Sequence, residues 1–320
     1  MLLDIVFAAV GIVLIMVGAD KLTDGSVALA RRFHVSELVI GLTIVAFGTS
    51  LPEFVVSLMS SINGVPAMSI GNVVGSNLFN TLMIVGFSAL FSPFVVGRST
   101  VYKDIPFSFI ASLVLAALAL DTLWDSSATA DVLSRADGVV LLAFFAIFVS
   151  YSYSLATNGN GEAVAGEGGA ELSAWKVAVF IVLGLIGLVA GGELFVDGAS
   201  GIARELGVSE AVIGLTLAAG GTSLPELATS IVAARKGRSA MAIGNVIGSN
   251  LFNVFWILGV CATLMPMPVA GLALSDFAML LIASVLFWIV ARTSHRVSRF
   301  EGALLVACYV AYITWLILSL

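Results

Sequence analysis

The hexapeptide GTSLPE stands at residues 48–53 and again at 221–226, each time inside a long apolar run. Proline has no N–H to bond the carbonyl four residues back, and its ring crowds that turn. A helix through Pro52 or Pro225 must therefore open near Gly48 or Gly221, freeing backbone carbonyls. In hydrocarbon such oxygens persist only where they face protein, water or an ion. The residue after each proline is a glutamate, and a carboxylate at mid-membrane costs about 2.5–3.5 kcal/mol even on the lenient insertion scale. Glu53 falls about fifteen residues into its apolar window, ~22 Å along a helix at ~1.5 Å per residue, and Glu226 is its match. Both are candidates for ion chemistry.

The neighbouring residues fit that chemistry. Thr49 lies one helical turn before Glu53, and Thr222 one turn before Glu226. Ser50 and Ser223 add hydroxyls at the break. Downstream, GNxxGSN recurs at 71–77 and 244–250 and runs into LFN, so Ser76 with Asn80, and Ser249 with Asn253, share helix faces. The donors are oxygens throughout. Such a set suits Ca²⁺, which takes about 6–8 oxygens at about 2.3–2.6 Å, and also Na⁺. No histidine or thiol converges on the motifs, which argues against zinc or copper. Asn77 and Asn250 read as interhelical hydrogen-bonding residues. Asp20 and Asp24, matched by Glu193 and Asp197, read as the stripe of a helix nearing water. His34 and His295 fall between apolar windows, and Cys261 and Cys308 read as small buried hydrophobes.

The elements that must hold these groups are membrane spans. The 320-residue chain is 60% hydrophobic and 11% charged, with mean hydropathy +1.11. A soluble chain carries about a quarter charged residues, so this is an integral membrane protein and nucleic acid is not a target. Windows long enough for a ~30 Å hydrocarbon layer occur at 2–22, 38–62, 66–91, 104–121, 138–156, 174–195, 211–234, 239–264, 273–292 and 301–320. The first and sixth continue at helical spacing to about Arg32 and Arg204. The first lacks a basic leader and carries Asp4, which reads as a retained span rather than a signal peptide. In this ten-span layout eleven Lys and Arg residues fall on one side and Arg135 and Arg204 on the other. The positive-inside rule then sets both termini outside the cell.

A shift of 173 residues aligns 40–86 with 213–259 without a gap, identical at 27 of 47 positions, and also pairs 24–37 with 197–210. Each half holds five spans, an odd number, so the halves enter the membrane in opposite directions. The expected fold is an all-α integral membrane protein of ten transmembrane helices, arranged as two inverted-topology five-helix repeats. One transmembrane transport domain, 1–320, divides into repeat one (1–157), a flexible cytoplasmic linker (158–171, NGNGEAVAGEGGAE) and repeat two (172–320).

With GTSLPE and GNxxGSNLFN each present twice, the sequence resembles the calcium/cation antiporter superfamily, and within it the prokaryotic Na⁺/Ca²⁺ exchangers. The resemblance covers essentially the whole chain. It implies a secondary antiporter in the cell (inner) membrane, not an enzyme, with no cofactor and with Ca²⁺ and Na⁺ as transported ions. Its partners would be the lipid bilayer and inorganic cations, with no obligatory protein partner. By motif position it implies that Glu53, Glu226 and the carbonyls of Thr49 and Thr222 bind Ca²⁺. Ser50, Ser223, Ser76, Ser249 and the carbonyls of Ala46 and Ala219 would flank them as Na⁺ ligands, with Asn80 and Asn253 central. The first and sixth helices would slide across the bundle as the gate. K⁺-dependent relatives carry aspartate where this chain has Asn253, and H⁺/Ca²⁺ relatives carry a histidine variant of GSNLFN; both departures favour Na⁺ without K⁺. A K⁺- or H⁺-coupled exchanger and a cation channel remain alternatives. An intramembrane serine protease using Ser50 or Ser223 would need a general base, and no span holds a histidine.

Overall fold

In hydrocarbon every backbone N–H and C=O must bond within its own segment, so long apolar runs become long helices. The computed structural model describes residues 1–158, 172–207 and 219–319. Its main helices are α1 (Leu2–Phe33), α2 (Glu37–Thr49), α3 (Leu51–Ile62), α4 (Pro66–Phe91), α5 (Thr100–Ala119), α6 (Arg135–Thr157), α7 (Ala174–Glu205), α8 (Leu224–Arg235), α9 (Ser239–Leu264), α10 (Leu274–Ser294) and α11 (Arg299–Leu318). Among the described residues, eight helices are long and apolar enough to cross a membrane, and the bent pair α2–α3 makes a ninth. The window at 211–234 is described only from Ala219 onward, and the linker lies outside the described residues apart from residue 158. The chain is a multi-pass membrane protein.

α1 and α7 run on past the apolar windows, each reaching 32 residues in total. They meet backbone to backbone. A Cβ at Gly18 would stand 2.8 Å from the Gly184 carbonyl oxygen, and one at Gly184 would stand 2.7 Å from the Leu22 nitrogen. Where lipid is as apolar as the side chains, such small residues let helices gain contact by close approach. α4 and α9 are the most enclosed spans, while α1, α6, α7 and α11 turn much of their surface outward. α2 crosses α9 in the same close manner, with a Cβ at Gly244 only 2.7 Å from the Leu38 carbonyl oxygen. The equivalent partner of Gly71, at 211, lies outside the described residues.

Two features depart from uniform α-helix. Two-residue ribbons close the ends of the bundle, Phe94–Val95 (β1) with Arg296–Val297 (β4) and Val132–Leu133 (β2) with Met267–Pro268 (β3), both antiparallel. π-helical turns occupy Gly41–Val45, Phe79–Ile84, Thr100–Asp104 and Phe252–Leu258. Such turns bulge the helix and re-aim the side chains on it. His34 and His295 each end a helix in the left-handed conformation, at φ 55° and 51°. Cys261 is buried and Cys308 half-buried, and both are free thiols.

Candidate functional site

The break encoded by proline is present. α2 and α3 meet at Ser50 with a 46° bend, Pro52 sitting in the first turn of α3 as it tolerates best. The second motif repeats this, with the short helix Ala219–Gly221 leading through Thr222 and Ser223 into α8, and Pro225 in its first turn. The Ala46 carbonyl accepts the Ser50 N–H at 3.0 Å and, more weakly, the Thr49 hydroxyl at 3.4 Å.

The two motifs bond crosswise. Ser50 Oγ donates to Glu226 Oε1 at 2.9 Å, and Ser223 Oγ donates to Glu53 Oε1 at 2.8 Å. Since Ser50 and Glu53 sit three residues apart on one chain segment, as do Ser223 and Glu226, these bonds close a ring that faces the carboxylates toward each other. Ser76 Oγ lies 3.2 Å from Ser223 Oγ, and Ser249 Oγ lies 3.4 Å from Glu226 Oε1. Glu53, Glu226, Ser50, Ser223, Ser76 and Ser249 are all buried.

Asparagines surround this ring. Asn80 donates its amide to Asn250 Oδ1 at 3.2 Å, and Asn253 donates its amide to Asn77 Oδ1 at 3.0 Å. Asn77 in turn donates to the Asn250 carbonyl at 3.2 Å, and Asn250 to Thr81 Oγ1 at 2.9 Å. Asn77 and Asn250 therefore do make interhelical bonds, and by holding the amide nitrogens they turn the side-chain oxygens of Asn80 and Asn253 the other way. Those two oxygens, with Glu53 Oε2 and Glu226 Oε2, are buried and reached by no donor. An orphaned buried acceptor costs about 1–3 kcal/mol, more when charged. Four such acceptors on the paired motif segments suit a cation. Among the described residues no group of three or more His, Cys, Asp and Glu could hold a metal, so the oxygens would come largely from uncharged groups.

Sequence reading had not singled out Asn72 and Asn245. Asn72 donates to the Glu53 carbonyl (3.4 Å) and Ser57 Oγ (3.0 Å), and Asn245 to the Glu226 carbonyl (3.4 Å) and Ser230 Oγ (3.1 Å). Each ties the span bearing its glutamate to the next. Thr49 Oγ1 reaches Val45 O at 3.0 Å and Asn245 Oδ1 at 3.2 Å, leaving its own carbonyl beside the break. The signal was available, because Asn72 and Asn245 occupy matched positions under the 173-residue shift. Asp20 and Asp24 are not part of the centre. Both pair with Lys236 Nζ at 2.6 Å. Burial draws protons off that ammonium, but its hydrogen bonds to the two aspartates outweigh this and raise its pKa.

A helical bundle with buried carboxylates and orphaned amide oxygens at broken spans defines a membrane protein of the cation-transport class. The family described as sodium/calcium exchanger protein matches residues 3–154 and 176–318. The chain belongs to that family. It is 33% identical over 337 residues to the sodium/calcium exchanger MaX1 of Methanosarcina acetivorans, covering 95% of each. It is 36% identical over 310 residues to an uncharacterized membrane protein of Methanocaldococcus jannaschii, covering 97% of each. A solved structure of the sodium-calcium exchanger NCX_Mj, soaked with Na⁺ and Ca²⁺, superposes with a TM-score of 0.82 at 36% identity over 98% of each chain. The family is one of transporters, so the serine protease reading is set aside.

Proposed function

We propose that this chain is a secondary antiporter that exchanges Na⁺ for Ca²⁺ by alternating access, electrogenically and without K⁺. The observation that carries it is the set of four buried acceptors, Glu53 Oε2, Glu226 Oε2, Asn80 Oδ1 and Asn253 Oδ1, that no protein donor reaches. Ca²⁺ is held by the two carboxylates with the carbonyls of Thr49 and Thr222. Na⁺ ions also use Ser50, Ser223, Ser76, Ser249 and the carbonyls of Ala46 and Ala219, with Asn80 and Asn253 between. These are the hard oxygen ligands both ions require.

Antiport follows from charge. Two carboxylates in a buried site repel unless a cation lies between them. The pair neither crosses empty at low cost nor holds Ca²⁺ and a full set of Na⁺ together. One Ca²⁺ balances the pair, whereas more than two Na⁺ ions overfill it, so the cycle moves net charge. Asparagine rather than aspartate at 253 leaves no third carboxylate for K⁺ to neutralise, and no histidine of the motif is present to carry a coupling proton.

The layout proposed for this cycle is ten spans in two inverted repeats, in the cell (inner) membrane, with both termini outside, the linker inside, and no obligatory protein partner. The pairing of bonds under the 173-residue shift supports the repeat. Orientation is supported by grouping, since Arg31, Arg32, Lys236, Arg238 and the β1–β4 ribbon lie at one end of the bundle, and Arg135 and the β2–β3 ribbon at the other. The glycine seam supports α1 and α7 moving as one gate.

Tracer Ca²⁺ uptake into proteoliposomes tests the reading, with Na⁺, K⁺ and H⁺ gradients imposed singly and voltage clamped by ionophore. An outward Na⁺ gradient alone should drive uptake, and an inside-positive potential should speed it, because more positive charge leaves with Na⁺ than enters with Ca²⁺. A strict K⁺ requirement, uptake driven by protons alone, or Ca²⁺ flux without any counter-ion would each overturn it. In Asn253→Asp, uptake should become sensitive to K⁺ or pH.

A further inference from the structure

The inverted repeat makes the ion centre nearly symmetric, so charged features present at only one end call for a separate account. A cavity of about 910 Å³ opens between the C-terminal end of α1, the N-terminal end of α7 and the α8–α9 turn. Its rim carries Arg31, Arg32, His34, Lys236 and Arg238. Under the 173-residue shift those positions correspond to Arg204, Glu205, Gly207, Asn63 and Val65, so only Arg31 keeps a basic equivalent and the clustered basic rim is not repeated at the opposite end.

The charges are unequally committed. Lys236 is held by Asp20 and Asp24, and Arg238 by Glu37 at 2.8 Å. Arg31 Nε is buried and reached by no acceptor. An enclosed guanidinium nitrogen without an acceptor asks for an anion. The N-termini of α7 and α9 border the same space and add positive potential. Beside the basic rim the lining has an apolar side, Val27, Ala28, Leu172 and Phe180, next to Thr23 and the Lys236-paired Asp24. A free anion has no use for that apolar side, whereas an amphiphile does.

We propose that this cavity is a binding site for one anionic phospholipid, its phosphate on Arg31 and Arg32 and its acyl chains over Val27 and Phe180, at the seam between α1 and the α8–α9 turn. Basic pockets between spans recognise phospholipid head groups in this way. The site is independent of the ion centre, which it does not touch, and stands or falls apart from the exchange reading.

Native mass spectrometry of the delipidated full-length protein, titrated with phosphatidylglycerol, tests it. The wild type should retain one tightly held lipid. Arg31→Gln with Arg32→Gln should weaken retention roughly thirtyfold, since each basic side chain contributes about a factor of five near an anionic head group. Arg296→Gln with Arg299→Gln, which removes equal charge from the same end, should leave it unchanged. Phosphatidylcholine should not compete, and millimolar inorganic phosphate should not displace the lipid. Phosphatidylglycerol should also raise the melting temperature of the wild type and not of the Arg31/Arg32 variant. Equal loss in both paired variants would reduce the effect to diffuse surface charge, and displacement by phosphate would make the site one for a free anion; either overturns the proposal. Should the glutamine pair fail to fold, Arg31→Lys with Arg32→Lys keeps the charge and should keep the lipid. Wild-type retention that ignores ionic strength would then overturn it.

Discussion

The cross-bonded serines and glutamates assign each side chain a distinct consequence. Glu53→Gln or Glu226→Gln keeps the shape and the serine bond but removes a charge facing a dication, so Ca²⁺ uptake should fall by more than about a hundredfold, beyond what loss of a supporting residue produces. The protein should still elute as a folded species; near-normal uptake in either variant would locate the ion elsewhere. Asn77 has a subtler part. It holds the amide of Asn253, so Asn77→Ala should free that side chain to rotate and weaken apparent ion affinity by about ten- to a hundredfold, with a smaller change in maximal rate. Uptake measured against Na⁺ and Ca²⁺ concentration separates the two effects, and an unchanged affinity would reduce Asn77 to packing.

At the scale of elements, the break and the seam make opposite demands. Pro52→Ala restores an N–H for the Gly48 carbonyl and lifts the penalty of about 3 kcal/mol that proline would impose on a continuous helix, which favours a straight α2–α3 span over the 46° bend. We expect a higher melting temperature together with slower uptake, the combination that distinguishes a functional break from a structural accident. Gly18→Leu acts differently. Its Cβ would lie 2.8 Å from a backbone oxygen of α7 that cannot yield like a flexible side chain. Separating α1 from α7 should destabilise the detergent-solubilised protein by about 1–3 kcal/mol or more, read as a lower melting temperature, whereas Val17→Leu on the exposed side of the same helix should have little effect.

For the whole molecule the orientation is the property to test. A cysteine at Ser127, in the turn where Asp125 caps the Ser127 N–H at 2.8 Å, should react in intact cells with an impermeant thiol reagent. One at Gly161, in the linker, should react only after lysis. The reverse pattern would invert the assignment of both termini. The same turn holds the Asp125 carboxyl below the usual carboxylate range through the Ser127 hydroxyl and N–H, so the turn should persist in mildly acidic medium and the labelling result should not depend on it.

Composition, proline, glutamate and the 173-residue repeat were enough to specify a membrane protein, its broken spans and its paired carboxylates. These are local or periodic properties: a proline lacks its N–H in any context, and a twenty-residue apolar run needs a helix wherever it meets lipid. The long reach of α1 and α7, and the interhelical bonding of Asn77 and Asn250, were legible for the same reason. Other features depended on which helices meet. That Ser50 serves Glu226 rather than its own neighbour Glu53 follows from the crossing of two segments 176 residues apart. The π turns at Phe79–Ile84 and Phe252–Leu258 have no signature in apolar spacing, yet Asn80 and Asn253 both lie within them. Asp20 and Asp24 looked alike as an interfacial stripe, and only the folded α8–α9 turn, by bringing Lys236 to them, turned that stripe into a joint. Chain chemistry chooses the groups; the packing of distant helices chooses their partners, because a side chain's nearest donors across a bundle are not its neighbours in sequence.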